Sequence, residues 1–327
     1  MILILSNSGD LSTELVMDWL NVYNHPFIRI NSQDFVDKSC FVSLSPPQLI
    51  IDEQVVPAQE INAIWYRRFG GFTNSSFFTD HRTQLTQQAI NQLQAEFYSF
   101  TKGFTSLFQK QYWLTHPKSV AVNKLEMLNL AQQCGLDIPL SYLISTRNQL
   151  LKILNTTAVI SKSVYEPFFM ETNRGLYTMY TKDISREEAQ KLPTSFYPSL
   201  IQEKIEKEYE LRIFYLEGEF YSMAIFSQQD EKTQVDFRRY NQEKPNRNVP
   251  YVLPEKLKGQ LHQLMQKIDL NCGSLDVIKS IDGKYYFLEV NPVGQFGMTS
   301  SPCNYDLHQK VAKHLINKDL TYGKVYQ

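Results

Sequence analysis

Gly273-Ser274-Leu275-Asp276-Val277-Ile278-Lys279-Ser280-Ile281-Asp282-Gly283-Lys284-Tyr285-Tyr286-Phe287-Leu288-Glu289-Val290-Asn291-Pro292 reads as two apolar-rich strands joined at Asp282-Gly283. That dipeptide favours a two-residue hairpin turn, and such a turn sets the register. With Asp282 and Gly283 as the loop, Ile281 faces Lys284, Ile278 faces Phe287, and Asp276 falls opposite Glu289. Asn291 lies two positions on and shares the face of Glu289. Like charges placed opposite one another destabilise a sheet, and a cation relieves the repulsion. Two carboxylates and an amide oxygen are hard ligands suited to Mg²⁺, which commonly also takes substrate phosphates. The plainer alternative is a solvated hairpin with acids placed by chance. Leu275, Val277, Leu288 and Val290 speak against it, because they mark core strands.

Around this hairpin the chain has 327 residues, enough for two or three core-bearing units. It is 43% hydrophobic and 20% charged, with a formal net charge of −1. No basic excess is present to attract nucleic acid, and there is no polybasic patch for a membrane surface. Met1-Ile2-Leu3-Ile4-Leu5 lacks a positive flank and is too short for a signal peptide. No apolar run approaches the roughly 18 residues that span a bilayer. Cys40, Cys134, Cys272 and Cys303 show neither metal-type nor redox-type spacing, as expected of buried thiols in a reducing cytoplasm. The aromatic content of 13% is high, and some of these rings are candidates for lining a groove around an extended ligand.

The coarse organisation is α/β followed by α+β. Residues 1–115 read as an N-terminal α/β domain. Ile2-Leu3-Ile4-Leu5 is a buried parallel strand, followed by a helix over 11–22 capped by Ser12 or Asp10. Further strands cover 27–30, 41–44, 49–51 and 61–68, and a long helix covers about 82–111. Residues 116–200 form a second segment, with a helix from Asn123 to Gly135. Strands follow over 139–145, 158–162 and 176–180, with short helices over 149–154 and 185–192. Residues 201–327 form the third, with strands over 200–205, 210–215 and 220–226. After them come a polar, loop-rich stretch over 227–252, a helix over 255–269, the acidic hairpin, and a closing helix over 304–318.

Three features outside the hairpin carry chemistry. Lys124 stands early in a helix, and Lys162 ends the apolar strand Ala158-Val159-Ile160-Ser161. A lysine emerging there faces protein and needs a partner, for which a phosphate is suited; the alternative is a snorkelling side chain. In Gln202-Glu203-Lys204-Ile205-Glu206-Lys207-Glu208-Tyr209-Glu210-Leu211-Arg212 the dense charge alternation is usual for a solvated edge. Glu210 and Arg212 nevertheless share one face of a strand.

This order of parts resembles the ATP-grasp superfamily. It consists of a lysine, a second lysine on a strand, a Gln-Glu-Lys-Ile linker, an acid, an arginine two residues later, and Asp…Glu-x-Asn in a hairpin. The resemblance covers about 117–318, and residues 1–115 look like the preceding, pre-ATP-grasp domain. It implies that Lys124 and Lys162 meet the phosphates of ATP. Gln202, Glu203, Lys204 and Ile205 would hold adenine, Glu210 the ribose, and Arg212 the γ-phosphate or an acyl-phosphate. Asp276, Glu289 and Asn291 would bind Mg²⁺. One departure is the glycine-poor flap 163–176, in which Arg174 stands where a glycine-rich loop would approach phosphate.

Trp65-Tyr66-Arg67-Arg68, Val235-Asp236-Phe237-Arg238-Arg239-Tyr240 and Glu289-Val290-Asn291-Pro292-Val293-Gly294-Gln295-Phe296-Gly297-Met298 narrow the match, together with Cys303-Asn304-Tyr305. They resemble the peptide maturases of grasp-with-spasm clusters, relatives of graspetide (microviridin-type) synthetases. The resemblance implies phosphorylation of Asp or Glu side chains of a ribosomal precursor peptide, then closure of ω-ester or ω-amide rings by Thr, Ser or Lys. Arg212 and Lys162 would act in catalysis, with Arg238 and Arg239, and also Arg67 and Arg68, clamping the acidic core peptide. The leader would dock on 165–200, through Phe168, Phe169, Tyr177, Tyr180, Phe196 and Tyr197, unless these rings pack in the core. A homodimer and a radical-SAM/SPASM partner enzyme are further implications. Two rival functions stay open: an intermolecular carboxylate–amine ligase, and a non-catalytic nucleotide-gated peptide-binding protein.

Overall fold

The structure, a computed structural model, describes all residues except 38–39, 166–168, 173–174, 179–180, 228–245 and 326–327; for 169–172, 175–178 and 323–325 it describes the backbone alone. The chain folds as two compact units, one of residues 1–120, 295–300 and 306–327, the other of residues 121–294 and 301–305. Among the described residues no helix is long and apolar enough to cross a membrane. All four cysteines are buried, and none forms a disulfide among the described residues.

In the first unit Ile2–Ser6 is buried along its whole length, as a strand covered on both faces must be. It pairs in parallel with Phe27–Asn31 on one side and Ala63–Tyr66 on the other, and Tyr112–Leu114 completes the sheet. The helix Leu11–Val22 starts at Asp10, whose carboxylate accepts from the Thr13 N–H at 3.0 Å. Cys40–Leu44 and Pro47–Ile51 join Gln54–Pro57, a strand the sequence reading missed, in a separate antiparallel sheet. Ser76–His81 is a helix the sequence reading missed, and the long helix expected over 82–111 spans only Gln87–Thr105. Thr86 caps the second by accepting from the Ala89 N–H at 3.2 Å. Phe35, Phe69, Phe100, Phe104 and Phe108 meet mostly edge-on or tilted. Part of the aromatic excess is therefore core packing.

Arg67 is a correction to the sequence reading. A peptide clamp needs an accessible guanidinium, but this side chain is only 2% exposed and its Nε donates to Asp10 at 3.0 Å. It lies over the rings of Trp65 and Phe296. Arg68 remains exposed.

The second unit contains two larger antiparallel sheets, each with helices on one face. Lys182–Ile184, Val159–Lys162, Ser195–Glu203 and Ser141–Thr146 lie in that order in the first. Val159 and Ile201 point to the helices Arg147–Ile153 and Arg186–Lys191, where they pack with Leu150 and Ala189. The second sheet has the order Arg247–Tyr251, Glu219–Phe226, Lys207–Leu216, Cys272–Ser280 and Tyr285–Asn291. Arg247–Tyr251 is a strand inside the stretch expected to be loop. Leu211, Ile213, Leu275, Val277, Phe287 and Val290 pack on the helices Lys124–Gln133 and Glu255–Lys267. The alternate residues of both sheets are left for the opposite faces. A third, two-stranded sheet pairs Phe169–Thr172 with Gly175–Thr178. The closing helix runs over Leu307–Val325 and is preceded by Gly297–Cys303.

Candidate active site

The hairpin brings Asp276 opposite Glu289, but by a route that differs from the expected one. Ser280 N–H donates to the Lys284 carbonyl at 3.0 Å, so the loop is residues 281–283, with Gly283 at φ +88°. A three-residue loop with glycine in the left-handed region is a regular hairpin solution. It pairs Ile278 with Tyr286, not with Phe287, and Val277 with Phe287. Carried on unchanged, this register would set Glu289 against Leu275, on the core face. A bulge at Leu288 inserts one residue and restores Asp276 opposite Glu289. Phe287, 0% exposed, thereby takes the core position expected of Leu288 and packs with Val290 in the core.

Across three strands the face opposite the core presents Arg212 beside Asp276 and Asp276 beside Glu289, with Asn291 paired to Ser274 one step along. Arg212 donates from one terminal nitrogen to both Asp276 oxygens at 2.8 Å. Its Nε is buried with no partner among the described residues. Lys162 lies 3.2 Å from Glu289 Oε2, and Lys124 lies 3.6 Å from the same oxygen. Lys124 also donates to the carbonyls of Ser163 and Tyr165 at 3.2 and 2.8 Å. Both lysines thus have defined partners, and the snorkelling alternative for Lys162 does not describe it. Three cations here face two carboxylates, which leaves the cluster one positive charge over and favourable to a polyanion. Asn291 Oδ1 accepts from the Val293 N–H at 3.1 Å and keeps its second lone pair. Among the described residues no three His, Cys, Asp or Glu side chains come together to hold a metal. Two carboxylates plus the Asn291 amide are thus the available set, and it fits Mg²⁺ completed by phosphate oxygens.

The charge run 202–212 is less solvated than its composition suggests. Gln202 is buried and donates to Ser141 Oγ at 2.9 Å. Glu203 and Lys204 donate their N–H groups to the carbonyls of Leu140 and Ala158 at 2.8 and 2.9 Å. The Lys204 ammonium pairs with Asp183 at 2.6 Å. Ile205, next in the linker, is half-buried. Glu210 is buried and accepts from Lys207 Nζ and, at 3.2 Å, from Ser227 Oγ. Burial pushes its carboxyl above the ordinary range, and Lys207 opposes that shift. Lys207, Ser227 and Asp183 were missed by the sequence reading. For Lys207 the spacing gave no signal, since residues three apart in a regular strand face opposite ways; the register shift between Lys207 and Tyr209 changes that alternation. Arg238, Arg239, Arg174 and the rings of Phe168, Phe169, Tyr177 and Tyr180 lie outside the described residues or side chains. Phe196 packs against the helices of its sheet, whereas Tyr197 is 88% exposed.

No protein-family model matches the chain, and no curated protein sequence matches it. Solved structures do. A RiPP-associated ATP-grasp ligase from Chryseobacterium gregarium, in complex with ADP and a leader and core peptide, is similar with a TM-score of 0.85 and 22% identity, over 97% of this chain and 96% of that one. The macrocyclase MdnC from Microcystis aeruginosa MRC, bound with precursor peptide MdnA, gives 0.79 and 25% over 97% and 99%. D-alanyl-alanine synthetase A from Vibrio cholerae gives 0.58 and 12% over 98% of both chains. Over nearly its whole length, then, the chain has the fold of the ATP-grasp ligases.

Proposed function

We propose that the protein is an ATP- and Mg²⁺-dependent ligase that matures a ribosomally made precursor peptide. It activates Asp or Glu side chains as acyl-phosphates and closes ω-ester or ω-amide rings with Thr, Ser or Lys side chains. The observation that carries this reading is the whole-length likeness to a ligase solved with ADP, leader and core peptide. The cluster of Lys124, Lys162, Arg212, Asp276 and Glu289 on one face supports it from this chain's own chemistry.

In this reading Lys124 and Lys162 take the phosphates of ATP. The linker Gln202, Glu203, Lys204 and Ile205 lies along adenine, and Glu210 accepts from the ribose hydroxyls. Asp276, Glu289 and Asn291 would hold Mg²⁺, which would supply neutralisation of phosphate charge. A peptide carboxylate oxygen attacks the γ-phosphorus in line and ADP leaves. Arg212 and Lys162 stabilise the charge that develops on the transferred group. The hydroxyl or amine of the same peptide then attacks the activated carbonyl. Phosphate departs, and the peptide has lost one water per ring. Holding both groups on one enzyme replaces strong nucleophilicity by effective concentration. Arg238 and Arg239 are proposed to grip the acidic core peptide, and residues 165–200 to dock its leader.

The test is intact mass of candidate acidic, Ser/Thr-rich precursor peptides incubated with enzyme, ATP and Mg²⁺. ATP-dependent loss of water supports ring formation. A second reading, intermolecular carboxylate–amine ligation, draws on the likeness to D-alanyl-alanine synthetase and predicts a gain of mass instead. Glu289→Ala should abolish ADP formation without unfolding the protein; near-normal turnover would sink the metal assignment.

A further inference from the structure

The cations proposed to meet phosphate and the carboxylates proposed to meet metal are already paired with one another. Lys162 and Lys124 neutralise Glu289, and Arg212 neutralises Asp276. The pairs are shielded: the side chains of Lys162, Glu289, Arg212 and Asp276 are only 11, 16, 7 and 13% exposed. Shielded pairs of this kind resist one-sided disruption far more than surface pairs do.

We infer that the site is self-capped, so that metal alone and nucleotide alone each bind weakly while the two bind as a pair. The inference rests on the nucleotide reading above. A metal ion alone must draw Glu289 and Asp276 away from their cations, leaving Lys162 and Arg212 in a shielded site without counter-charge. A nucleotide alone draws off the cations and leaves two carboxylates facing each other across paired strands. When both arrive, phosphates take the cations, the metal takes the carboxylates, and every charge is matched again. The coupling is reciprocal, since each ligand lowers the cost of the other by the same amount.

The consequence has an unusual sign. Removing a residue that binds one ligand tightens binding of the other when that other is offered alone. Lys162 is the cleaner lysine to remove, because Lys124 also ties down the Ser163 and Tyr165 carbonyls.

The experiment is calorimetric titration of the full chain with one ligand at a time, so that no Mg–ADP complex forms in solution. Lys162→Met should bind Mg²⁺ without nucleotide about tenfold more tightly than the unmodified protein. Asp276→Asn should bind ADP in EDTA more tightly by a similar factor. Lys258→Met, whose ammonium pairs with Glu255 instead, should leave Mg²⁺ affinity unchanged and so separates pairing from overall charge. Melting curves identify folded variants, and either arm suffices if the other variant does not fold. Single-ligand affinities that are unchanged or weaker in folded Lys162→Met and Asp276→Asn overturn the inference, as does an equal gain in Lys258→Met. If the unmodified protein binds no Mg–ADP at all, the nucleotide reading itself fails, and this inference with it.

Discussion

Replacing Lys207 by Met strands a carboxylate inside the five-stranded sheet. Lys207 is 8% exposed and Glu210 7%, and Glu210 Oε1 accepts from both Lys207 and Ser227. Burial raises the Glu210 pKa, the Lys207 ammonium opposes it, and nearby Asp276 pushes in the same direction as burial. Breaking a buried pair from one side costs about 3–5 kcal/mol. For a unit of this size that corresponds to a fall in melting temperature of about 6–20 °C. The pH dependence has a definite sign. A carboxylate whose folded pKa lies above its unfolded value contributes stability below the unfolded pKa and loses it as pH rises through the folded one. Without Lys207 the folded pKa climbs further and the window of loss extends upward. The deficit of Lys207→Met should therefore be larger near about pH 8 than near about pH 5. Urea and thermal unfolding at both pH values measure it. The double variant Lys207→Met/Glu210→Gln should recover most of the loss, since apolar or neutral replacement of a buried pair is often close to neutral. A deficit below about 1 kcal/mol, typical of an exposed pair, or one independent of pH, would refute the reasoning.

Phe287→Ala should destabilise the protein by about 3–5 kcal/mol in denaturant unfolding, because the ring is fully buried in the core of the second unit. Deleting Leu288 removes the bulge yet keeps Glu289 opposite Asp276, so stabilisation by Mg–ADP in a melting assay should survive. Its loss in a folded variant would mean that the bend, beyond the register, places the carboxylate. Asn123→Ala should cost about 1 kcal/mol, since Asn123 accepts from the Leu125 and Glu126 N–H groups at the start of the helix carrying Lys124.

The hairpin shows how a sequence argument reaches the right pair through a wrong intermediate. A two-residue loop without a bulge and a three-residue loop with one both set Asp276 against Glu289. Two deviations cancelled. Phe287-Leu288 is a pair of adjacent apolar residues, so alternation alone does not say which faces the core. That choice belongs to packing, and the larger ring fills the space beside Val277. The later start of the helix expected over 82–111 was legible in Thr86, an N-cap type of residue, but the apolar spacing on either side concealed it. Arg247–Tyr251 was not legible, because its Pro250 and polar flanks read as loop, and an edge strand tolerates proline.

Local chemistry was therefore settled by the sequence itself. Caps, turn residues and apolar periodicity act over a few positions, and they located most strands, most helices and the acid pair. The order of lysines, linker, acid, arginine and acidic hairpin also pointed to the fold. Only the tertiary structure decided which charges meet. Lys162 reaches Glu289, Arg212 reaches Asp276, Lys207 is buried against Glu210, and Arg67 is buried against Asp10. Ion pairing depends on distance and on exclusion of water, and neither exists along an extended chain until the sheets have packed.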